Sequence, residues 1–332
     1  FAGVSRAQLA DPDWVNKARG GQEALLRKCI GCMSCNKEVV NHRGIRCAIN
    51  PRLGRERDYN PAALRRDGAG RCVPVIGGGP AGMQAAIVLA ERGFRPILFE
   101  RRAYLGGSAV LASKAPCKGL VAEYIETQKN QLAALGVQVE LNHAPTMAEL
   151  RRLDPYGIFV AMGGQQIVPD IPGIDRENVF GIEDILLGRR AIEGREVAVI
   201  GGGHVGLEVA HFLCANNKVT IVEMADEIGA SVYYITKFKL LPMLREAGVT
   251  FRTGQALAAV GDGSIRLRDT HSGRCTDRKA EAVVLAMGSR PDLAARAEFD
   301  RNFDRVVYAG DAVRGGTMLE ANRDAFALAW EF

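Results

Sequence analysis

Four cysteines fall within nineteen residues: Cys29, Cys32, Cys35 and Cys47. The first three follow C-x2-C-x2-C, and eleven residues separate the third from the fourth. Three thiolates on one tight loop can cap three corners of an iron–sulfur cubane, and bacterial iron–sulfur runs begin with this spacing. The loop between Cys35 and Cys47 brings the fourth thiolate round. Zinc is the rival occupant, since four thiolates also make a structural zinc site. Zinc ligands more usually arrive as two separated C-x2-C knuckles, so a [4Fe–4S] cluster is the expectation, with unligated thiols as the bland alternative. His42 lies inside the loop and reads as a surface histidine, because four cysteines already fill the site.

Two glycine turns follow. In "VPVIGGGPAGMQAA" the residues Gly77, Gly79 and Gly82 fit G-x-G-x-x-G between a strand and a helix. The first glycine permits the turn, the second lets backbone approach a pyrophosphate, and the third lets helix and strand pack closely. Pro80 and Ala81 open the helix, whose free N–H groups suit phosphate. Glu100 closes the next strand, where a carboxylate can accept hydrogen bonds from a ribose, with Arg101 beside it. "VAVIGGGHVGLEVA" repeats the unit with Gly201, Gly203 and Gly206, with His204 and Val205 opening the helix and Glu223 ending the next strand. One such match is weak; two, each in strand–turn–helix–strand context, are strong. The alternative is that both are packing turns only.

The two turns are expected to differ in ligand. "VVYAGDA" puts Gly310 and Asp311 after a last strand, where a carboxylate suits the ribityl hydroxyls of FAD. "VAMGG" and "LAMGSRPD" look like the returns between domains of two-dinucleotide flavoproteins. The first turn is therefore assigned FAD, with Gly107, Gly163 and Met318 as further contacts. The second is assigned a nicotinamide cofactor, with Gly288 beside it. Glu208 either sits near the nicotinamide or merely packs its helix. Glu223 repels a 2′-phosphate, and Met224, Ala225, Asp226 and Glu227 supply no cation to hold one, so NADH is favoured over NADPH. NADH delivers two electrons and an iron–sulfur cluster passes one at a time; a flavin converts between them. A chain holding all three is chemically coherent. Cys72, Cys117, Cys214 and Cys275 are dispersed, and no redox C-x-x-C faces the flavin, so electrons should leave through the cluster.

The elements that must position these residues are those of an α/β protein with two Rossmann-like dinucleotide-binding domains of glutathione-reductase-like type. Asp11 and Pro12 read as an N-cap and first helical position, with a helix running to about Arg27 and interrupted at Gly20-Gly21. Residues 51–70 read as a wrapping linker. A meander is expected over 249–285, with turns at Asp262-Gly263 and Ser272-Gly273. Pro74 conflicts with a central strand, which either begins at Val75 or has an irregular edge. The expected divisions are 1–20, 21–70 for the cysteine segment and linker, 71–165 with 286–332 for FAD, and 166–285 for NAD(P)H.

The chain has 332 residues, 47% hydrophobic and 24% charged, with a net charge of +5. Its arginine pairs are scattered, which argues against a nucleic-acid partner. No apolar run approaches the ~18 residues of a membrane helix. Sparse thiols fit a reducing cytoplasm better than a secreted disulfide framework. The chain opens at Phe1 without a signal peptide or a methionine, as a fragment or processed piece would.

"VSRAQLADPDWVNKARGG", "RKCIGCMSC", "CAINPRLGRE" and "VIGGGPAGMQAA" together resemble the C-terminal half of the iron–sulfur flavin oxidoreductases of the old yellow enzyme family. These are of the 2,4-dienoyl-CoA reductase and 2-enoate reductase type, with trimethylamine dehydrogenase more distant. The resemblance implies an N-terminal FMN-binding (β/α)8 barrel, of which residues 1–20 would be the end and Arg6 an FMN-phosphate contact. It implies electron flow from NADH to FAD, the cluster and FMN, and reduction of an activated C=C bond in an enoate, enone or enoyl-CoA. The small-molecule substrate would bind the barrel, in this polypeptide or another subunit, so no catalytic residue is assigned here. A homo-oligomer is possible. The x2-x2-x11 spacing departs from the x2-x3-x11 of dienoyl-CoA reductases towards the amine dehydrogenases. An amine dehydrogenase, or a non-catalytic electron-transfer subunit, stays open beside the reductase.

Overall fold

The runs Val73–Ile76 and Val197–Ile200 are apolar without alternation, the pattern of strands covered on both faces. Each forms the middle of an all-parallel sheet in the computed structural model, which describes residues 3–332. Phe1 and Ala2, the start of the expected barrel remnant, lie outside the described residues.

In chain order the strands are β1 (Cys72–Ile76), β2 (Arg95–Phe99), β3 (Gln138–Glu140), β4 (Ile158–Val160) and β5 (Gly164–Gln166). Then come β6 (Val179–Gly181), β7 (Glu196–Ile200), β8 (Lys218–Val222), β9 (Thr250–Arg252) and β10 (Gln255–Val260). Last are β11 (Ser264–Asp269), β12 (Cys275–Lys279), β13 (Ala282–Leu285), β14 (Ser289–Pro291) and β15 (Val306–Tyr308). One parallel sheet has the order β15-β4-β1-β2-β3 and the other β6-β13-β7-β8-β9. They correspond strand for strand, β1 to β7, β2 to β8, β3 to β9 and β4 to β13. The duplication legible in the sequence is thus a duplication of topology.

The chain divides into two compact units: residues 1–113, 118–165 and 290–332, and residues 114–117 with 166–289. In the first, the helix Pro80–Glu91 is buried from Pro80 to Leu89. It lies on the sheet and packs against the helices Gly119–Ala134 and Met318–Glu331. Met83, Leu89, Leu98, Phe159, Phe326 and Trp330 share this core. Residues 51–70 are strapped to it. Tyr59 meets Phe326 and Trp330 edge-on at 5.2 and 5.4 Å, and the Arg92 guanidinium, fully buried, bonds Asp67 and the Ala329 carbonyl. In the second unit, Ala198, Val222, Leu267, Val283 and Leu285 form the core shared by the parallel sheet and the antiparallel β10-β11-β12 meander.

Pro74 sits inside β1, and the ladder to β4 begins one residue later, at Val75 opposite Phe159. Cys72 and Ile76 point their carbonyls towards the β4 side, to Tyr156 and Ala161 N–H, so Pro74 faces that side as well. Its missing N–H therefore falls on the β4 side, just before the first β1–β4 pairing, where the ladder is one bond short.

Two expectations need correcting. The meander is shorter than 249–285, because β9 and β13 at its ends join the parallel sheet. Asp11 is not an N-cap. The helices run Arg6–Ala10 and Trp14–Arg19, with Asp13 at the N-cap of the second. The Asp11 carboxylate is instead buried, accepting from Asp13 N (3.2 Å), Arg27 N (3.1 Å) and Lys17 Nζ (2.7 Å). Among the described residues no helix is long and apolar enough to cross a membrane.

Candidate dinucleotide and cysteine sites

At the end of β1 the chain turns through Gly77, whose φ is +105°. A Cβ there would lie 2.4 Å from the Ala161 carbonyl oxygen, and one on Gly82 would lie 1.8 Å from the Gly77 carbonyl oxygen. Only glycine fits either place. Gly79 caps the Pro80–Glu91 helix, with Pro80 and Ala81 in its first turn and the N–H groups there free of side-chain caps. The loop after β2 closes over the turn: Gly106 N–H donates to the Gly78 carbonyl (2.8 Å), and Gly107 passes close to Gly79.

Glu100 is buried. One of its oxygens accepts from Gly78 N–H (2.8 Å) and the other from Arg102 N–H (2.9 Å). The carboxylate therefore shapes the turn first, with its remaining lone pairs left for a ribose. Arg101, next to it, is exposed.

The second turn repeats this almost atom for atom. Gly201 has φ +108°, and a Cβ on Gly206 would lie 1.8 Å from the Gly201 carbonyl oxygen. Gly203 caps the helix His204–Leu213. Glu223 accepts from Gly202 N–H (2.7 Å) and Ala225 N–H (2.8 Å), and Gly229 N–H donates to the Gly202 carbonyl (2.9 Å). Val205 is exposed on the first helical turn. His204 Nε2 lies 2.8 Å from Glu208 Oε1, and the Glu208 side chain is otherwise largely buried.

The returns are paired too. Ala161 N–H donates to Ile76 and Ala286 N–H to Ile200, each at 2.8 Å; Gly163 and Gly288 follow with φ +79° and +88° and nothing crowding them. Gly310, at φ +63°, brings Asp311 beside the first turn: a Cβ on Gly310 would meet the Ala81 methyl at 3.2 Å. Asp311 accepts from Gly316 N–H (3.1 Å). Met318 begins the helix that follows, whose N-cap Thr317 makes a capping box with Glu320.

Cys29, Cys32, Cys35 and Cys47 line one pocket, with Ile30, Met33 and Ile49 as its apolar wall. Left-handed residues stand on both sides of the exposed Cys32, at Gly31 (φ +67°) and Met33 (φ +59°). Among the described residues no three His, Cys, Asp or Glu are arranged to hold a single metal ion. Burial pushes the Cys47 thiol up, and backbone N–H groups of Ile49 and Asn50 pull it the other way; burial also raises Cys35, against the N–H of Asn36. Any metal held by these thiols must displace their protons. The buried Glu38 pairs with Arg46 and closes the loop between the third and fourth cysteines.

The helix Gly119–Ala134 carries the loop's other end. Thr127 Oγ1 donates to Leu26 O (3.2 Å), Asn130 to Ala24 O (3.0 Å), and Glu123 pairs with Lys28 (2.8 Å). Met318 packs both against the core under the first turn and against the Ala10, Ala48, Ile49, Tyr124 and Leu319 cluster, which Cys29 and Cys47 also touch. The cysteine pocket and the first turn therefore share one unit and one apolar floor. Arg6, expected at an FMN phosphate, is an exposed residue on the rim of the cysteine pocket.

Sequence reading missed Gly78, Gly106, Gly202 and Gly229. Aligning the two halves would have found them, since Gly106 and Gly229 each follow the acidic residue by six positions. It also missed Tyr124, Gln128 and Asn322, whose polar groups meet only through tertiary packing. Gln128 Nε2 donates to Pro80 O (3.3 Å) at the start of the first turn's helix.

Residues 72–305 match the family model described as pyridine nucleotide-disulphide oxidoreductase. The chain is 34% identical to an NADH oxidase of Thermoanaerobacter brockii, over 100% of the chain and 52% of that protein. It is 30% identical to a bilirubin reductase of Mediterraneibacter gnavus, over 94% of the chain and 48% of that protein. It thus spans about half the length of the curated relatives it matches. Among solved structures, a 2-naphthoyl-CoA reductase bound to 2-naphthoyl-CoA superposes with a TM-score of 0.91 at 27% identity, covering 98% of the chain and 50% of that protein.

Proposed function

The chain belongs to the pyridine nucleotide-disulphide oxidoreductase family, and from that premise we propose that it is the electron-delivering part of an NADH-dependent iron–sulfur flavoprotein reductase. FAD, an iron–sulfur cluster and FMN, when bound, supply the conversion of a hydride's electron pair into single electrons and back into a hydride. The partner that receives the electrons is proposed to be an FMN-bearing barrel that reduces an activated C=C bond in an enoate, enone or enoyl-CoA.

This chain's own residues have definite parts in that scheme. Gly77, Gly79 and Gly82 admit the FAD pyrophosphate to the helix start, and Asp311 offers its carboxylate to the ribityl hydroxyls. Glu100 and Glu223 hold their turns open by their grip on Gly78 and Gly202 N–H, and present the same carboxylates to a ribose. Glu223 also repels a 2′-phosphate, which supports NADH. His204 and Glu208 stand side by side at the helix start of the second turn. Arg6, exposed on the rim of the cysteine pocket, is free to reach the phosphate of FMN.

The cysteine pocket is proposed to hold [4Fe–4S]. A zinc ion would need its four sulfurs to converge about 2.3 Å from one point. Four thiols lining one pocket, three of them in the C-x2-C-x2-C run that opens bacterial iron–sulfur segments, support the cluster over two separated zinc knuckles. The observation that carries the reading is the shared floor of this pocket and the first turn, joined at Met318.

The test is anaerobic addition of NADH to purified protein, followed in the visible spectrum, with iron, labile sulfide and extracted nucleotide measured on the same sample. FAD bleaching by NADH, with about four irons per chain, is expected. ADP in place of FAD without NADH oxidation would instead indicate an amine dehydrogenase. Bound FAD that NADH never reduces would leave a non-catalytic subunit.

A further inference from the structure

Met224, Ala225, Asp226 and Glu227 hold no cation of their own, but the fold brings a histidine to them from 45 residues further on. The hairpin between β11 and β12 rests on the segment that follows β8, all within the second unit. The backbone carbonyls of that segment are taken one by one. Glu223 O accepts from Gln255 N–H (3.0 Å), Met224 O from Thr270 Oγ1 (3.4 Å) and Ala225 O from Gly254 N–H (2.9 Å). At the next residue the side chain is taken instead, and His271 Nε2 stands 2.6 Å from Asp226 Oδ1. An ionised carboxylate only accepts, so the imidazole N–H donates. Gly254 marks where these groups meet: a Cβ there would touch Asp226 Oδ1 at 3.4 Å and His271 Cδ2 and Thr270 Oγ1 at 3.6 Å. The hairpin tip is itself fixed, since the Asp269 carboxylate accepts from His271 N–H (3.1 Å) and Ser272 N–H (2.8 Å).

The segment so held borders the proposed ribose site. Glu223 Oε1 accepts from Ala225 N–H (2.8 Å), and Asp226 is the next residue. A phosphate on the adenosine ribose would therefore meet Asp226 as well as Glu223. With a neutral imidazole the Asp226–His271 pair carries the full charge of the carboxylate; with an imidazolium it carries none. We propose that this pair is a specificity-determining element of the second turn: singly negative it refuses a phosphate on the adenosine ribose, and neutralised by a proton on His271 it tolerates one. The inference rests on the NADH reading of that turn and extends it to a residue from outside the nucleotide-binding motif.

The hydrogen bond and the charge of Asp226 lift the His271 pKa above its ordinary value near 6.5, and Asp269 adds to that. The other charged groups of the packed segments are few. Glu227 pairs with Lys237 of the helix Tyr234–Glu246, and Glu223 is held by backbone N–H groups. Arg252, Arg268 and Arg274 are the cations of β9, β11 and the hairpin turn. Histidine is the one residue type among them that changes charge near neutral pH. As pH falls through its raised value, the refusal should relax. A phosphate monoester keeps its second charge above about pH 6, so a change above that pH belongs to the protein.

The experiment is calorimetric competition of two probes, AMP and adenosine 2′,5′-bisphosphate, against NAD+ on the FAD-loaded full chain, from about pH 6.5 to about pH 9. The probes differ only in the 2′-phosphate, so the ratio of their dissociation constants isolates how that group is received. In wild type the bisphosphate should gain about tenfold on AMP as pH falls across this range, the scale of one charge a few ångströms away near a protein surface. His271→Gln should hold the ratio at its strict, high-pH value throughout. Asp226→Asn should give the tolerant ratio already at the high-pH end. The two side chains are 68% and 74% exposed, so neither exchange threatens the fold. A ratio that follows the wild-type curve in either variant overturns the proposal, as does a wild-type ratio that stays flat with pH. Failure of NAD+ to bind, or of AMP to displace it, overturns the dinucleotide reading of the second turn instead.

Discussion

Gly82 and Gly206 carry the same argument in two units. Each sits where a methyl would lie 1.8 Å from a carbonyl oxygen of its own turn, a distance no side-chain rearrangement relieves because both atoms belong to fixed backbone. Gly206→Ala should displace the second turn by about an ångström and weaken NADH-driven flavin reduction about a hundredfold, while FAD remains bound. Gly82→Ala should release the flavin itself. Stopped-flow bleaching and extracted-flavin content check the pair. An equal loss of FAD in both variants would mean the two turns do not have separate ligands. These glycines were legible in the sequence because their spacing alone encodes the turn. Glu100 and Glu223 were legible as the acids that follow β2 and β8. That each also holds two backbone N–H groups was not, because it depends on where the loop after the strand returns.

At the scale of elements, the segment between the first helices and the cysteines hangs on Asp11. The carboxylate is buried, yet its pKa is lowered: burial raises it, but the Arg27 charge and the Lys17 and Arg27 N–H bonds outweigh that. A carboxyl depressed in the fold stabilises at pH above its ordinary value near 4. That contribution disappears as pH falls through the folded value, so acid should loosen this segment only below about pH 4. Asp11→Asn strips the ion pairs at every pH and should cost about 3 kcal/mol at neutrality, with a flatter acid limb. Denaturant melts from pH 3 to 7 measure both; a variant as stable as wild type at pH 7 would refute the role. The sequence pointed to Asp11 for the wrong reason. An aspartate before proline reads as a cap, and the same residue type serves as a buried acceptor. Local pattern cannot choose between them, since the deciding partner, Arg27, lies sixteen residues on.

For the whole molecule, the legible part was the duplication, because a strand–turn–helix–strand unit must recur with its glycines to work at all. The strand order, common to both sheets, came from the structure. Less legible was the placement of residues 3–70 in the first unit, which depends on contacts such as Tyr59 with Trp330 and Arg92 with Asp67 rather than on any motif. Ligand linkage should respect the division. NADH at about one hundred times its Kd should stabilise the second unit by ~2.7 kcal/mol, and a thermal melt followed by hydrogen exchange should show protection gathered in residues 166–289. Uniform protection across both units would contradict a dinucleotide site confined to the second.

The segment from Cys29 to Cys47 has one regular element, the helix Ser34–Val40, flanked by left-handed residues at Gly31, Met33 and His42. Apart from the Glu38–Arg46 pair, the proposed cluster would be what ties this winding backbone together. On that reading, stripping the metal should open the peptide bonds after Lys37 and Arg43 to trypsin, and limited proteolysis with and without a chelator would measure it.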